Sequence, residues 1–352
     1  MSWEEILQRP SSFWLNGRGP EQEVVISSRV RLARNLAGHP FPNRAGDGEL
    51  EGIMTAVGNA IQGFPDQANY YFLSLSKLSP VDRQLLVEKH LTSPDHIKEP
   101  RQRGIVLRED EGVSIMVNEE DHLRIQALFS GLQLEEAWKL AGEIDDRLEK
   151  TLTYAYDEAF GYLTACPTNA GTGLRASVMV HLPGLVMLNR IGKVFAPLSQ
   201  LGLATRGMYG EGTEALGNMF QISNQITLGR SEEELIAHLQ AITRQVIEQE
   251  RGARQELYRE MGDHLVDRVF RAYGILTHAR LLSTKEAINL VSDLRLGLDL
   301  NLLPQLNYRI LNELLVLCQP AYIQKIAGQQ QSSRERDAKR ATLIRERLKN
   351  GN

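Results

Sequence analysis

The sequence predicts an α+β fold, in which an antiparallel sheet flanked by helices is followed by an all-α region. Residues 104–109 and 113–118 show a period of two on either side of a short turn, which is typical of an antiparallel hairpin. Ser231 and Glu234 form a capping box that begins a helix, and the sequence beyond it has helical patterns but no strand pattern. Sheet and helical region are therefore separated along the chain.

Length and composition are those of a globular protein. With 352 residues, 42% of them hydrophobic and 24% charged, the chain is long enough for two domains, which we place at residues 1–254 and 255–352. The net charge of -4 argues against a dedicated nucleic-acid-binding protein. Two cysteines, Cys166 and Cys318, imply neither a disulfide framework nor a zinc site. No apolar run of about 18 residues is present. We therefore expect a soluble cytoplasmic protein with no membrane contact.

In the first half of the chain the predicted elements alternate between helices and strands. Aromatic and β-branched runs predict strands, and apolar residues at every third or fourth position predict helices. In chain order these elements are a short helix before a Gly- and Pro-rich turn at 16–20, a strand at 24–31, a helix at 49–62, a strand at 70–75, a helix at 81–90 and the hairpin. Residues 134–156 have helical spacing and no internal proline, which predicts a long helix.

Loop-forming residues interrupt the middle of the chain before a further strand. Pro167, Gly171 and Gly173 break any regular element, whereas residues 176–181 alternate as a half-buried strand does. Arg175 then lies where the loop enters the strand, and a cation held at such a junction suits the binding of an anion. On the glycines alone, an ordinary hairpin turn is the simpler alternative.

The last third of the chain is predicted to be helical after one more strand at 219–226. Helices are predicted at 232–260, 285–298 and 307–318, with Pro320 ending the last of them, whereas residues 334–349 are polar and have few positions suited to a core. Apolar stripes in this region predict either self-association into a homodimer or a small internal core. The stripes comprise Leu265, Val269, Leu311, Leu314 and Leu315.

Four stretches together are more specific than any of these patterns. They read I-S-S-R-V-R-L-A-R-N at 26–35, V-N-E-E-D-H-L-R at 117–124, C-P-T-N-A-G-T-G-L-R-A-S-V-M-V at 166–180 and R-G-M-Y-G-E-G-T-E at 206–214. All four resemble, in the same order, motifs of the phosphagen kinases, the arginine and creatine kinase superfamily that transfers phosphate between ATP and guanidino nitrogens. The resemblance covers roughly residues 23–251 and implies the phosphagen kinase catalytic fold.

The resemblance implies two carboxylates and a cysteine at the reaction centre. Glu120 matches the catalytic glutamate of the family, Glu211 its mobile-loop glutamate, and Cys166 its reactive cysteine. A guanidinium has a pKa above about 12, so its phosphorylation is helped by two carboxylates that grip it, orient one nitrogen and accept a proton. Without the resemblance, residues 119–121 are an ordinary solvated acidic turn and Cys166 is a small buried residue.

The same resemblance implies an ATP site built from arginines, and neither a Walker motif nor the protein-kinase motifs are present. Arginines around the phosphates stabilise a loose phosphoryl-transfer transition state, and Mg²⁺ would be held mainly through those phosphates, with no metal ligands from the protein. One departure is Met179, where the small-guanidine kinases usually have histidine. The implied ATP-binding residues are Ser27, Ser28, Arg29, Val30, Arg31, His90, Arg124, Arg175, Ala176, Ser177, Val178, Met179, Arg206, Gly207, Met208, Tyr209 and Gly210.

The acceptor is suggested by what precedes the first motif. Arginine and creatine kinases carry a helical domain there, whereas this chain reaches the motif by Ser27. A site without that domain would be open to an arginine on a protein. With the helical C-terminus, this resembles the bacterial protein-arginine kinases. That resemblance implies protein substrates with accessible arginines, among them a stress repressor, together with a Clp ATPase, a small activator protein and a homodimer. The alternatives are a kinase for a free guanidine such as arginine, and a phosphoarginine-binding adaptor without enzymatic activity.

The segment R-D-A-K-R-A at 336–341 resembles the phosphoarginine-sensing motif of protein-arginine kinases. On a helix, Arg336, Asp337 and Arg340 share one face, and a carboxylate beside cations matches a guanidino group that carries a phosphate. The resemblance implies an allosteric site formed by these three residues and Ala341. From charge alone, a solvated cationic helix or a weak contact with nucleic acid is the simpler alternative.

Overall fold

The computed structural model of the protein describes residues 2–207 and 216–349. Its strands are β1 (Val25–Arg34), β2 (Tyr70–Ser74), β3 (Gly104–Arg108), β4 (Val113–Val117), β5 (Leu123–Ser130), β6 (Tyr156–Asp157), β7 (Gly161–Tyr162), β8 (Leu174–His181), β9 (Leu203–Gly207) and β10 (Met219–Asn224). Eight of these strands form one antiparallel sheet in the order β2-β3-β4-β5-β1-β8-β10-β9, and β6 pairs with β7. The predicted α+β class with an antiparallel sheet is confirmed.

Helices flank the sheet and then continue alone to residue 349. They are α1 (Trp3–Gln8), α2 (Asp47–Gln62), α3 (Pro80–Glu88), α4 (Pro94–Lys98), α5 (Leu134–Glu149), α6 (Pro183–Met187), α7 (Ile191–Gln200), α8 (Glu232–His278), α9 (Thr284–Asp299), α10 (Tyr308–Leu317), α11 (Pro320–Ala327) and α12 (Ser333–Lys349). Several begin at a polar residue whose side chain accepts a hydrogen bond from a first-turn amide, as Ser231 does from Glu234 at the start of α8. After α8, no strand occurs in the described part of the chain.

The helix predicted at 134–156 is shorter than expected. α5 ends at Glu149, and the chain then turns back so that Leu152 and Tyr154 are buried while Tyr156 begins β6. The prediction was wrong because apolar residues at helical spacing also occur where a chain returns into a core. The Ala155 amide donates a hydrogen bond to the Asn35 carbonyl, which holds this segment in an extended conformation beside the end of β1.

One prediction about where a helix ends was also wrong. α8 does not stop near residue 260 but continues to His278, with non-helical dihedral angles at Met261. The domain boundary drawn after residue 254 therefore falls inside a helix. The helix predicted at 307–318 is α10, which ends at Leu317 before Pro320 as expected, and Pro320 then stands in the first turn of α11, where its missing N–H has no helical partner to lose.

The two faces of the sheet have different surroundings. Val30 and Leu32 of β1 point into a core that is completed by α2, α5 and the first part of α8. Because side chains alternate along a strand, Arg29 and Arg31 point to the opposite face. There, α3 covers the β3 end of the sheet, and α9 and α10 pack near Ile26 of β1. The middle of this face is the part that carries the candidate site.

The apolar stripes of the helical region are used inside the chain. The five residues that suggested self-association, Leu265, Val269, Leu311, Leu314 and Leu315, are all buried in the monomer. Four of them belong to one core shared with Leu7, Trp14 and Ile105 from the N-terminal part. This arrangement fits the alternative of an internal core, and a homodimer stays a prediction that these residues do not support.

Candidate active site

The middle of the sheet carries a cavity of about 500 Å³. Its floor comes from β1, β5 and β8: Arg31 lies directly opposite Arg175 in the pairing of β1 with β8, and Arg124 lies opposite Ala33 in the pairing of β1 with β5. The sheet register thus brings three arginines from distant parts of the sequence to one place. The cavity is lined by Arg31, Ala33, Ser93, Asp95, Arg103, Glu119, Glu120, Arg124, Asn169, Gly173, Arg175 and Arg206.

The arginines on this face of the sheet repel one another, including Arg29, which lines the neighbouring cavities. Burial and the charges of Arg175 and Arg124 lower the pKa of Arg29 to about 10. Burial and the charges of Arg29, Arg124 and Arg175 lower the pKa of Arg31 well below its ordinary value. The negative charge of Glu119 opposes this shift. The side chain of Arg29 donates to two neutral groups, Ser177 Oγ at 3.3 Å and Gln221 Oε1 at 2.9 Å. Arg31 Nε has no hydrogen-bond partner among the described residues. A multiply charged anion would compensate this concentration of positive charge.

The turn between β4 and β5 supplies carboxylates beside these cations. Asn118 has a left-handed backbone (φ 60°), and its side chain donates to two backbone carbonyls, which fixes the turn. Glu119 is buried, pairs with Arg124 at 2.6 Å and accepts a hydrogen bond from Ser93 Oγ at 2.7 Å. Burial alone would raise the pKa of Glu119, but Arg124 and the Ser93 hydroxyl hold it below its ordinary value.

Glu120 differs from its neighbour in being accessible. Its Oε2 lies 2.8 Å from Arg124 Nη2, and 43% of its side chain is exposed. The carboxylate therefore lines the cavity with one side held by a cation and the other side available to a ligand. A cationic group that entered the cavity would meet Glu120 beside the arginine floor.

Asp121 connects the carboxylate turn to the loop that contains Cys166. Its buried Oδ1 accepts hydrogen bonds from the Ala165 amide and from Asn35 Nδ2, both at 2.7 Å. Cys166 follows directly after this anchor, is partly exposed, and has Sγ 3.0 Å from Thr168 Oγ1. The structure thus ties Glu120 and Cys166 into neighbouring loops, although 45 residues lie between them in the sequence.

A second cavity of about 180 Å³ adjoins the first and shares Arg31, Ser93 and Arg206 with it. His90 lies on its wall and packs edge-on against Trp14, with 5.5 Å between the ring centroids. Burial and the charge of Arg29 lower the pKa of His90 to about 4, so its imidazole is neutral at pH 7. If the ligand carries an uncharged part beside its anionic part, the uncharged part would fit next to this neutral ring.

Comparison with known proteins agrees with this chemistry. Residues 52–253 match the C-terminal catalytic domain of the ATP:guanido phosphotransferases, and residues 262–352 match the C-terminal domain of protein-arginine kinase McsB. A protein-arginine kinase of Symbiobacterium thermophilum is 55% identical over 353 residues, and one of Pelotomaculum thermopropionicum is 52% identical, with 99% of each chain covered in both cases. The chain belongs to the protein-arginine kinase family.

Solved structures show the same fold for about 70% of the chain. A crystal structure of lombricine kinase matches with a TM-score of 0.60 and 27% identity, covering 70% of each chain. The duplicated taurocyamine kinase of Schistosoma mansoni matches with a TM-score of 0.57 and 28% identity, covering 69% of this chain and 35% of that one. The phosphagen kinase fold inferred from the four motifs is confirmed.

Most residues that the resemblance assigned to ATP lie together. Their side chains or backbone line one of three neighbouring cavities on the same face of the sheet. The third cavity is small and shares Arg29, His90 and Gln221 with the second. The residues brought together are Ser27, Arg29, Arg31, His90, Arg124, Arg175, Ser177, Met179, Arg206 and Gly207.

Other predicted residues are not on this face. The side chains of Ser28, Val30, Ala176 and Val178 are fully buried, and the last three belong to the core beneath the sheet. β1 and β8 are each paired on both sides, so a nucleotide contact by these four residues would have to use backbone atoms that already serve the sheet. Met208, Tyr209, Gly210 and Glu211 lie outside the described residues.

Several residues of the site were missed by the sequence analysis. Gln126 on β5 could have been predicted from the sequence, because it lies two positions after Arg124 and so points to the same face of the strand. Ser93 carries a local signal that was not used, because a serine directly before Pro94 is typical of a helix N-cap; it caps α4 and donates to Glu119. Asp95, Arg103 and Gln221 carry no local signal, since their position depends on which elements pack together.

The predicted phosphoarginine-sensing segment lies on α12. Arg340 is 1% exposed and donates at 2.7 Å to the carbonyls of both Cys318 and Leu282, and at 2.5 Å to Asp337 Oδ1. Ala341 is also buried, and the Arg336 side chain donates to a backbone carbonyl at 2.7 Å. Residues 334–349 were expected to have few core positions, yet Arg340 holds this helix to the helical region. The sensing role of the segment stays a prediction.

Residues 2–207 and 216–349 contain neither a metal-binding cluster nor a membrane-spanning helix. No group of three or more His, Cys, Asp or Glu side chains there is arranged to hold a metal ion. Across the same ranges, no helix combines the length and apolarity needed to cross a membrane.

Proposed function

We propose that this chain transfers the γ-phosphoryl group of ATP to the guanidino group of arginine side chains in proteins. The observation that carries the proposal is the convergence, in one cavity, of a cationic floor that includes Arg31 and Arg175 with the accessible carboxylate of Glu120. Membership of the family implies ATP as the phosphoryl donor. Arginine in proteins as the acceptor is supported by relatives at 55% and 52% identity over nearly the whole chain that are named protein-arginine kinases.

The donor half of the reaction follows from charge. The triphosphate would lie over Arg29, Arg31, Arg124 and Arg175, whose repulsion it relieves, and the nucleoside would extend towards the neutral His90. Because phosphoryl transfer passes through a loose transition state, fixed positive charge around the γ-phosphate supplies most of the help that a protein gives. Mg²⁺ would be held mainly by the phosphates, since the donor set of the cavity is rich in arginine and has no cluster of carboxylates to spare among the described residues.

The acceptor half requires removal of a proton. A guanidinium has a pKa above about 12, so a nitrogen lone pair becomes available only as a base accepts the proton. Glu120 would grip the guanidinium and receive that proton while one N–P bond forms and the bond between the γ-phosphorus and the bridging oxygen of ATP breaks, releasing ADP. Glu211 is proposed as the second carboxylate, and Cys166 is proposed to lie beside the guanidino group.

The proposal is tested with radiolabelled ATP and two acceptors, an unfolded protein and free arginine. We expect label on the protein that is lost in acid, because an N–P bond is acid-labile, and little label on the free amino acid. Acid-stable label would indicate phosphorylation of hydroxyl groups. Label on free arginine alone would favour a small-guanidine kinase, and label on neither acceptor would favour a phosphoarginine-binding adaptor.

The carboxylate role is tested by Glu120→Gln. We expect less than about a tenth of the wild-type rate, because acid–base help of this kind contributes about 10²- to 10⁴-fold, while ATP affinity stays nearly unchanged. Turnover and calorimetric nucleotide binding are measured on the same sample. Glu136→Gln is the matched control, since Glu136 is an exposed carboxylate on α5 outside the cavity. A Glu120→Gln enzyme with more than a tenth of the rate contradicts the assigned role.

The remaining expectations extend the same function and stay predictions. They are a stress repressor among the substrates, delivery of marked proteins to a Clp ATPase, a small activator protein, a homodimer, a cytoplasmic location, and a phosphoarginine site formed by Arg336, Asp337, Arg340 and Ala341. Protein substrates as a class are supported by the names of the relatives.

A further inference from the structure

The last residues of α3 contact the C-terminal helices directly. Glu88 is buried, and its two carboxylate oxygens accept hydrogen bonds from the first-turn amides of α11: Oε1 from Ala321 at 2.9 Å and Oε2 from Tyr322 at 3.0 Å. These amides have no partner within a helix, so a side chain from elsewhere has to satisfy them. Glu88 supplies that partner from the sheet-containing part of the chain.

A second contact holds the same two helices together. Lys325 of α11 pairs with Asp82 of α3 at 2.6 Å, and the two side chains are 20% and 8% exposed. The Tyr322 hydroxyl also donates to the Gln8 carbonyl at 2.9 Å, next to α1. α3 is therefore attached to α11 near both of its ends, which limits how far the two helices can move independently.

The two residues that follow Glu88 continue from this contact into the nucleotide side of the site. Lys89 is fully buried, donates to the Ile6 carbonyl at 3.2 Å and pairs with buried Glu111. His90 comes next and lies in the wall of the second cavity, next to Arg29. Three consecutive residues thus reach α11, the interior beside α1, and the proposed nucleotide site.

His90 also has a backbone conformation that its surroundings must maintain. Its φ is +58°, in the left-handed region that a residue with a Cβ seldom adopts. Its amide donates to the Val87 carbonyl, and its carbonyl accepts a hydrogen bond from Gln126 at 2.9 Å. Because such a conformation costs free energy, it persists only where neighbouring contacts enforce it. The attachment of α3 on one side and Gln126 on the other are those contacts.

From this arrangement we propose that Glu88 is a positioning residue: by tying α3 to α11, it holds His90 in place for the nucleotide, so that the C-terminal helices set ATP affinity. The proposal rests on the nucleotide site of the proposed function. It adds that Glu88 and Lys325, neither of which lines that site, affect ATP binding through His90. Glu88 acts at a distance and does not touch the reacting atoms.

The test measures binding of ADP with Mg²⁺ by calorimetry to the full chain, which needs no acceptor and therefore no phosphoryl transfer. Glu88→Ala is expected to weaken ADP binding at least about fivefold, the lower end of ordinary coupling between sites. In turnover assays, KM for ATP should rise by a similar factor while kcat stays within about twofold. Lys325→Met is expected to weaken binding less but in the same direction, and Lys325→Arg is expected to restore it.

Glu313→Gln is the matched control. Glu313 is a buried carboxylate of the same helical region that pairs with Arg309 and Arg347, and no hydrogen bond or ion pair joins it to α3 among the described residues. It should lower thermal stability without changing ADP affinity. Equal loss of ADP affinity in Glu313→Gln and Glu88→Ala would overturn the proposal, because general loosening would then explain both. If Glu88→Ala does not fold, Lys325→Met decides: a folded variant that binds ADP like wild type overturns the proposal. Failure of protein phosphorylation with normal ADP binding would refute the proposed function instead.

Discussion

Two groups of arginines lie within this fold, and they differ in what faces their guanidinium groups. Arg34 donates to Asp145 at 2.6 and 3.0 Å and to two backbone carbonyls, and Arg254 pairs with Glu250 at 2.7 Å and Asp299 at 2.6 Å. Arg29 instead donates to two neutral groups, and Arg31 Nε has no hydrogen-bond partner among the described residues. We refer to Arg34 and Arg254 as the paired arginines, and to Arg29 and Arg31 as the cavity arginines.

The contrast is sharpest on β1, where Arg31 and Arg34 are three residues apart. An odd number of positions along a strand places side chains on opposite faces, so Arg34 enters the core and Arg31 enters the cavity. The charge of Arg34 is compensated by the protein, whereas the charge of Arg31 is concentrated beside other arginines. The difference indicates that the cavity was built for an external anion and that its charges reduce the stability of the empty protein.

The largest expected effect is on stability, when one of the paired arginines is substituted. Arg34→Met should lower the free energy of unfolding by about 3 to 5 kcal/mol, because it leaves the buried Asp145 carboxylate without its partner. It should also remove the stacking of the guanidinium on Tyr162, whose ring centroid lies 3.5 Å away. Denaturant unfolding measures the change. The double variant with Asp145→Leu should recover part of the loss, and a double variant as unstable as the single one would contradict the charge argument.

Substitution of a cavity arginine should lower catalytic activity. Arg31→Met is expected to lower kcat by about 10²- to 10³-fold, the usual effect of removing one transition-state donor. The same variant should be at least as thermally stable as wild type in the absence of nucleotide, because a repelled charge has been removed. Turnover and thermal unfolding are measured together. A loss of stability comparable to that of Arg34→Met would show that the two groups of arginines do not differ as described.

The same pair of arginines shows how much the sequence allowed us to predict. The strand predicted at 24–31 includes Arg29, Val30 and Arg31, and alternation along a strand puts the two arginines on one face and Val30 on the other. The motif did not indicate the role of Arg34, because its partner is 111 residues away on α5. Local patterns give the faces of elements, whereas charge compensation depends on tertiary packing.

The helical region illustrates the same limit. The capping residue Ser231 predicted where α8 begins, because a cap is satisfied within four residues, and Ser283 caps α9 in the same way. The attachment of α11 to Glu88 was not predictable, since it joins positions 233 residues apart. The burial of Arg340 was missed for the same reason: its acceptors are carbonyls that only the packed helices bring together.

A smaller effect should follow when an anion is added. Inorganic tripolyphosphate is expected to stabilise the wild type by about 2.7 kcal/mol at a concentration of 100 times its Kd, because it binds only the folded cavity. Thermal unfolding measures the change, and the stabilisation should weaken as salt screens the charges. Arg31→Met should require more tripolyphosphate for the same shift. Arg271→Met is the control, because Arg271 is exposed and lies outside the cavity. If tripolyphosphate stabilised both variants equally, the cavity would not be its binding site.

The two groups of arginines each have a buried histidine beside them, which allows a comparison by pH. Burial and Arg29 lower the pKa of His90 to about 4, and burial with Arg254 and Arg295 lowers the pKa of His181 well below its ordinary value. For such a group the unfolded chain binds the proton more readily. Each histidine therefore contributes stability that is present above about pH 6.5 and is lost as pH falls towards the folded-state pKa.

The smallest predicted effect is a difference between these two histidines. Tripolyphosphate on the cavity floor would offset the charge of Arg29 and so raise the pKa of His90 towards its ordinary value, whereas His181, beside the paired arginines, should not respond. His90 should therefore take up its proton at a higher pH when tripolyphosphate is bound than when it is absent. Histidine ring signals in NMR titrations with and without tripolyphosphate measure both groups in one sample. A shift of both histidines, or of neither, would mean that the anion does not lie over Arg29.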